Sequence, residues 1–219
     1  MMKERRLAAF GGTFDPVHIG HIEIARAIVR HFALDQLLIV PASRPPHKDA
    51  RGITGAHHRY AMAVLATLEE PRVVVSTVEL EAPDRPYTFE TVERLRSIFA
   101  RDRLFFVMGA DSFEEINTWR EPARLLSSTD VIVITRPGHR VDLAHLDDRF
   151  TRSIVDLRDR EEGVQISDDV EHHIYLTGYV NLDVSSTDIR RRICKGQPIE
   201  GLVPSGVAAY IDKYSLYRC

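Results

Sequence analysis

Short apolar runs alternate along this chain with stretches whose apolar residues recur at helical spacing. Leu7–Phe10, Gln36–Val40, Arg72–Ser76, Leu104–Met108, Val131–Ile134 and Ile174–Leu176 read as strands, most of them continuous enough in apolar residues to be buried on both faces. Helical periodicity runs from about Gly20 to Phe32, where Ile22, Ala25, Ile28, Val29 and Phe32 are apolar, from His57 to Leu68, and from Thr88 to Phe99, with Val92, Leu95 and Phe99. Such an alternation predicts an α/β fold, an open parallel sheet with helices on both faces. Asp188 to about Lys195 and Pro204 to about Tyr214 predict a small C-terminal helical region, with Pro204 suited to a first turn. No repeat, low-complexity tract or linker stands out. A length of 219 residues favours a single domain over 1–219. The acidic stretch Asp156–Asp169 carries the weakest structural signal.

The residues after the first strand add chemistry. Gly11-Gly12-Thr13-Phe14-Asp15-Pro16-Val17-His18-Ile19-Gly20-His21 leads from Leu7–Phe10 into the first helix. A glycine turn between strand and helix gathers backbone N–H groups and the positive end of a helix dipole in one space, which suits polyphosphate. His18 and His21 share one face of the helix start and reach the same anion, as N–H donors and, when protonated, as positive charges. Gly20 lets backbone or ligand approach without a Cβ in the way. The spacing is neither G-x-G-x-x-G nor a Walker A loop. A plain tight turn followed by surface histidines explains isolated histidines better than it explains this whole run.

Ligands of open parallel sheets bind beyond the carboxyl ends of the strands. Gly11–His21, Ser43–Lys48, Gly109–Asp111 and Ser185–Arg190 all follow strands, so a single site is expected. Ser186 and Thr187 are an N-cap pair by residue type, whose hydroxyls and following amides suit a phosphate group. Arg190 returns to the face of Thr187 and pairs with phosphate in two-pronged fashion. Lys48 adds a mobile charge from a proline-bearing loop. Arg136-Pro137-Gly138 is open between a phosphate contact and a turn. Arg191, Arg192 and Lys195 read as a solvated helix face.

Charge and composition narrow the partners. A net charge of −3 supplies no basic field for nucleic acid. No apolar run approaches the ~18–20 residues that span a bilayer, and the charged start Met1–Arg6 with its short strand is no signal peptide. The 2 cysteines, Cys194 and Cys219, do not make a disulfide framework, and a cytoplasmic setting is expected. The pairs His57-His58 and His172-His173 point to different sides of their elements and make no metal site.

The runs at 11–21 and Ser185-Ser186-Thr187-Asp188-Ile189-Arg190 resemble the two signatures of the nucleotidyltransferases with a Rossmann-like fold. Pro45-Pro46-His47-Lys48, Tyr87-Thr88 with Thr91, Gly109-Ala110-Asp111 with Trp119, Arg136-Pro137-Gly138, and the ending Val203-Pro204, Val207, Tyr210-Ile211, Leu216-Tyr217 extend the likeness over nearly the whole chain. Together they resemble the bacterial nicotinate-nucleotide adenylyltransferases. Thr151–Asp169 and Gly178–Asn181 match nothing in that pattern, and Val184 stands where isoleucine is commoner.

The resemblance implies transfer of AMP from ATP to nicotinate mononucleotide, giving nicotinate adenine dinucleotide and pyrophosphate in NAD biosynthesis. An anionic phosphate attacks an anionic phosphorus there, so charge stabilisation and alignment dominate and no protein nucleophile is needed. It implies ATP binding by Gly11, Gly12, Thr13, Phe14, His18, His21, Gly109, Asp111, Ser186, Thr187 and Arg190. It implies acceptor binding by Lys48, Thr88, Trp119 and Arg136, and catalysis by His18, His21, Lys48 and Arg190. Asp111 is read either as a ribose ligand or as a helix N-cap before Ser112. Trp119 is read as a ring stacked on the pyridine or as a core residue, and Thr88 as a donor to the pyridine carboxylate. No carboxylate cluster has metal spacing, so magnesium is expected to arrive with ATP. The chain is compatible with a homo-oligomer. Rival readings are an adenylyltransferase for nicotinamide mononucleotide, phosphopantetheine or a choline-type phosphate, and a nucleotide-binding regulator without catalysis. His18-Ile19-Gly20-His21 also occurs in class I aminoacyl-tRNA synthetases, but this chain has no Lys-Met-Ser-Lys-Ser partner and no room for a tRNA-binding body.

Overall fold

The computed structural model describes residues 4–43, 52–82, 86–135, 141–144, 146–160, 163–164, 166, 172–180 and 183–219. The chain runs β1 (Arg6–Gly12), α1 (Ile19–His31), β2 (Gln36–Pro41), α2 (Ala56–Thr67), β3 (Val73–Val75), α3 (Thr88–Ile98), β4 (Arg103–Gly109), α4 (Ala110–Glu114), a 3-10 turn Ile116–Thr118, α5 (Pro122–Leu126), β5 (Asp130–Ile134), α6 (Asp148–Thr151), β6 (Ile154–Asp156), β7 (Ile174–Thr177), α7 (Ser186–Cys194) and α8 (Ser205–Lys213). Among the described residues seven strands form one sheet in the order β3-β2-β1-β4-β5-β7-β6. All their pairings are parallel.

Strand residues alternate between two apolar layers. Ala8 and Phe10 of β1, Phe105 and Val107 of β4 and Ile132 of β5 join one cluster with Ile22, Ala25 and Ile28 of α1, Met62 of α2, Ile189 of α7 and Val207 of α8. Leu7 and Ala9, Leu104 and Phe106, and Val131 and Val133 join the other with Val92 and Leu95 of α3, Phe113 of α4 and Leu125 of α5. The period-2 pleat explains why these strands are apolar throughout: each odd and each even residue meets a helix. The C-terminal helices therefore pack into the same layer as α1 and α2.

Two features depart from expectation. β6 lies within the unassigned stretch 151–169 and pairs Ile154 with Ile174 on the sheet edge. Its apolar run is only Ile154-Val155, too short to register as a strand. The cysteines, whose placement suggested no disulfide framework, form a disulfide, Cys194–Cys219, with Cα atoms 5.0 Å apart. The end of α7 and the chain terminus meet because α8 folds back over α2. Among the described residues no helix is long and apolar enough to cross a membrane.

Candidate active site

The sheet order sets the position of the site. From β1 the chain winds outward through β2 and β3, then returns to β4 on the opposite side of β1. At such a reversal of strand order the loops leaving neighbouring strands run to opposite faces of the sheet, and open parallel sheets bind ligands between them at the carboxyl ends. Gly11–His21 follows β1 and Gly109–Asp111 follows β4.

The loop after β1 is built around aromatic rings. A Cβ on Gly12 would sit 2.8 Å from the Phe14 ring, and one on Gly11 would sit 3.1 Å from Phe106. Both glycines thus make room for packed side chains. Phe14 has a left-handed backbone, φ 51, and its buried ring meets His21 edge-on at 4.9 Å. His18 is the N-cap of α1, and its ring stacks on His21 with centroids 3.7 Å apart. The stack is possible because residue 20 is glycine: a Cβ there would lie 3.1 Å from the His18 ring. The space expected for a ligand is in part filled by His18 itself. The first amide of α1 is also occupied, since Ile19 donates to the Leu202 carbonyl at 3.0 Å.

The His18 amide donates to His21 Nδ1 at 3.2 Å, as an N-cap amide does to glutamate in a capping box. Neutral His21 therefore carries its proton on Nε2, where it is a donor. Burial lowers the His18 pKa to about 4. Burial, and secondarily the neighbouring His18, hold His21 well below the usual histidine value. Near neutral pH both rings are uncharged in the free protein, so the charge expected of them when protonated is not present at rest. His18 Nδ1 is buried and has no hydrogen-bond partner among the described residues.

The late signature closes on this loop. Ser186 Oγ donates to the Pro16 carbonyl at 2.9 Å, and Arg190 Nη1 donates to the Asp15 carbonyl at 2.6 Å. Arg190 Nη2 reaches Thr187 Oγ1 at 3.3 Å. The cap of α7 is Ser185, whose hydroxyl accepts from the Asp188 amide at 3.1 Å. The expectation of a Ser186–Thr187 cap pair is corrected: Ser186 is the first helical residue and bridges to the opening loop instead, while Thr187 is exposed. Arg191 and Arg192 both pair with Asp188, in keeping with a solvated face.

Arg59 is the residue that motif reading missed. It is 1% exposed, and it donates to the carbonyls of Thr54 at 2.9 Å, Thr13 at 2.7 Å and Ala42 at 2.6 Å, with a longer bond to Ser43. One guanidinium thus ties the loops after β1 and β2 to the start of α2. Burial pulls its pKa down, while the nearby Asp15 opposes that. The signal was present: Arg59, Met62, Ala63 and Ala66 occupy the i, i+3, i+4 and i+7 positions of one buried stripe.

On the β4 side, Gly109 is exposed, and a Cβ on it would meet nothing within 4 Å. Gly109 is the N-cap of α4, so Asp111 is not, and Asp111 stands exposed in the first turn. Thr88 is the first residue of α3. Trp119 follows the 3-10 turn, half-buried against the second apolar cluster. Their neighbourhoods meet where Arg120 lies 5.9 Å from the Tyr87 ring. Lys48 and Arg136 lie outside the described residues. Among the described residues no group of three or more His, Cys, Asp or Glu is arranged to hold a metal ion.

Residues 9–192 match the profile of the cytidylyltransferase-like family. Across the full chain, similarity extends to a probable nicotinate-nucleotide adenylyltransferase of Thermoanaerobacter sp. (strain X514), 38% identical over 100% of this chain and 97% of the relative. The chain belongs to the nicotinate-nucleotide adenylyltransferase family. A relative from Thermus thermophilus is 37% identical over 97% of this chain and 100% of its own. Among solved structures, Plasmodium falciparum nicotinic acid mononucleotide adenylyltransferase complexed with NaAD shares the fold, with TM-score 0.70 and 19% identity over 98% of both chains. In this adenylyltransferase chain the two signatures are physically one site, joined through Asp15 and Pro16.

Proposed function

We propose that the chain transfers AMP from Mg·ATP to nicotinate mononucleotide, releasing pyrophosphate, at the crevice where β1 and β4 end. An oxygen of the nucleotide's phosphate attacks the α-phosphorus of ATP, and the bond to the bridging oxygen of the β-phosphate breaks. The observation that carries this reading is the closure of Arg190 and Ser186 on the Asp15-Pro16 carbonyls, which brings the late signature to the His18–His21 loop.

His21 donates from Nε2 to a phosphate oxygen, and the stacked His18 lies beside it. Both rings are held neutral by burial, so an arriving polyanion raises their proton affinity and draws charge to the place where it is needed. Arg190, already fixed through the Asp15 carbonyl, meets phosphate without reorganisation. Ser186, Thr187 and the Thr13-Phe14 amides complete the ATP side with Gly11, Gly12, Gly109 and Asp111. Thr88 and Trp119 receive the pyridine, and Lys48 and Arg136 add positive charge. Magnesium arrives with ATP, as part of the substrate. We assign the chain to the cytoplasm on the strength of its substrates. The disulfide removes the cysteine argument for that setting.

The test is an acceptor panel with Mg·ATP, read by pyrophosphate release. Nicotinate mononucleotide should be the preferred acceptor. Equal or better use of the nicotinamide nucleotide would remove the substrate assignment, and ATP binding without release on any acceptor would make the chain a regulator.

A further inference from the structure

The last residues of the chain reach the centre of the opening signature. Asp15 is 3% exposed. Its Oδ2 accepts from the Thr54 amide at 3.2 Å, and its Oδ1 accepts from the Tyr217 hydroxyl at 2.7 Å. Tyr217 lies 202 positions away along the chain. The carbonyl of the same Asp15 receives Arg190. A single residue therefore joins the phosphate loop, the late signature and the C-terminal tail.

The tail is held in an unfavourable shape to make this contact. Ser215 has φ 51 and Tyr217 has φ 63, left-handed values that L side chains adopt only at a cost. Such strain persists only where the surroundings over-determine it, and it is found where geometry serves function. Two restraints do this here. The Leu216 amide donates to the Ile211 carbonyl at 3.0 Å, closing the end of α8. Two residues beyond Tyr217, Cys219 is bonded to Cys194, the last residue of the helix that carries Ser186 and Arg190.

We propose that Tyr217 is a positioning residue for adenylyl transfer, acting through Asp15 on the phosphate loop and Arg190, and that the Cys194–Cys219 bond holds it there. This rests on the functional reading above. The logic is geometric. Without the Tyr217 hydroxyl, a buried carboxylate oxygen loses a partner, and Asp15 turns to find another. Its carbonyl moves with it, and so does the guanidinium donating to that carbonyl. Misplacement of a catalytic group by about 1 Å costs up to about a hundredfold in rate. The set of substrate-contacting residues does not change, because Tyr217 touches Asp15 and no proposed ligand atom.

Tyr217→Phe keeps the ring and its packing and removes only the hydroxyl. We expect kcat to fall about tenfold or more, with KM for the acceptor within about twofold of the parent. Cys219→Ser should lower kcat in the same direction by a smaller factor, and the double variant should be no slower than Tyr217→Phe alone, since both act on one contact. A Tyr217→Phe protein that is folded at the assay temperature and turns over at the parental rate overturns the proposal. Multiplicative effects in the double variant overturn the role given to the disulfide. These outcomes are ratios to the parent enzyme. Failure of the functional reading, with no pyrophosphate release by the parent, is a separate and distinguishable result.

Discussion

Arg190 donates to the Asp15 carbonyl at 2.6 Å across 175 residues of sequence. The bond leaves the guanidinium half-buried, one edge fixed by the protein and Nη2 donating to the Thr187 hydroxyl at 3.3 Å. A cation so held is oriented before substrate arrives. Electrostatic stabilisation is most effective when no reorganisation is needed at the moment of reaction.

Arg190→Ala should therefore lower kcat by about a hundredfold or more. Arg190→Lys should recover only part, because an ammonium cannot bond the Asp15 carbonyl and a phosphate in one plane. Steady-state kinetics on both variants checks this. A lysine variant with parental kcat would show that charge alone suffices and that the Asp15 contact is incidental.

His18→Ala should reduce turnover far more than it weakens the acceptor, about a hundredfold in kcat with acceptor KM within about twofold. The His18 ring stacks on His21, and its buried Nδ1 has no hydrogen-bond partner among the described residues. An unchanged turnover number would take His18 out of catalysis.

The sheet was legible because each of its longer strands packs both faces and so reads as an unbroken apolar run, as in Leu104–Met108. β6 was not, because an edge strand of three residues has too little apolar sequence to signal itself. The convergence of Gly11–His21 with Ser185–Arg190 was legible from strand ends alone. The contacts that enforce it were not: they run from side chains to main-chain carbonyls of Asp15 and Pro16, and carbonyl acceptors have no signature in sequence. The carbonyl partners of Arg59 were hidden for the same reason, although its place in the buried stripe of α2 was readable. The disulfide was missed because pairing depends on where α8 sends the chain terminus, which spacing does not encode.

Acid should weaken the fold through the histidine pair. His18 takes up a proton at about pH 4 in the folded chain and near 6.5 when unfolded. Between these values the unfolded state holds more protons, so the contribution is complete above about pH 6.5 and is lost as pH falls towards 4. His21 shifts in the same direction. Carboxylates held low by arginine, such as Asp102 and Asp188, titrate below this window and are common to parent and variant. The midpoint of thermal unfolding should thus fall more steeply between pH 7 and 4.5 in the parent than in His18→Asn. Parallel curves would mean that the pair does not govern acid stability. In the same window, ATP binding should take up protons, measurable by calorimetry in buffers of different ionisation enthalpy.

Arg59→Met sets two effects against each other. Methionine removes a desolvated charge, which favours the variant. It also strips the donor from the carbonyls of Thr54, Thr13 and Ala42 and takes a cation from beside the buried Asp15. Each buried acceptor left unpaired costs about 1–3 kcal/mol. Because three are lost at once, the second effect should win, with a net cost of about 3 kcal/mol or more. Arg124 is the control: it pairs with Glu93 at the surface, both half-exposed or nearly so, and its replacement by methionine should change stability by under about 1 kcal/mol. Urea midpoints at unchanged m-value separate the two. If both substitutions cost the same, the Arg59 guanidinium does not tie the loops together, and the order of the phosphate loop must come from its aromatic packing alone.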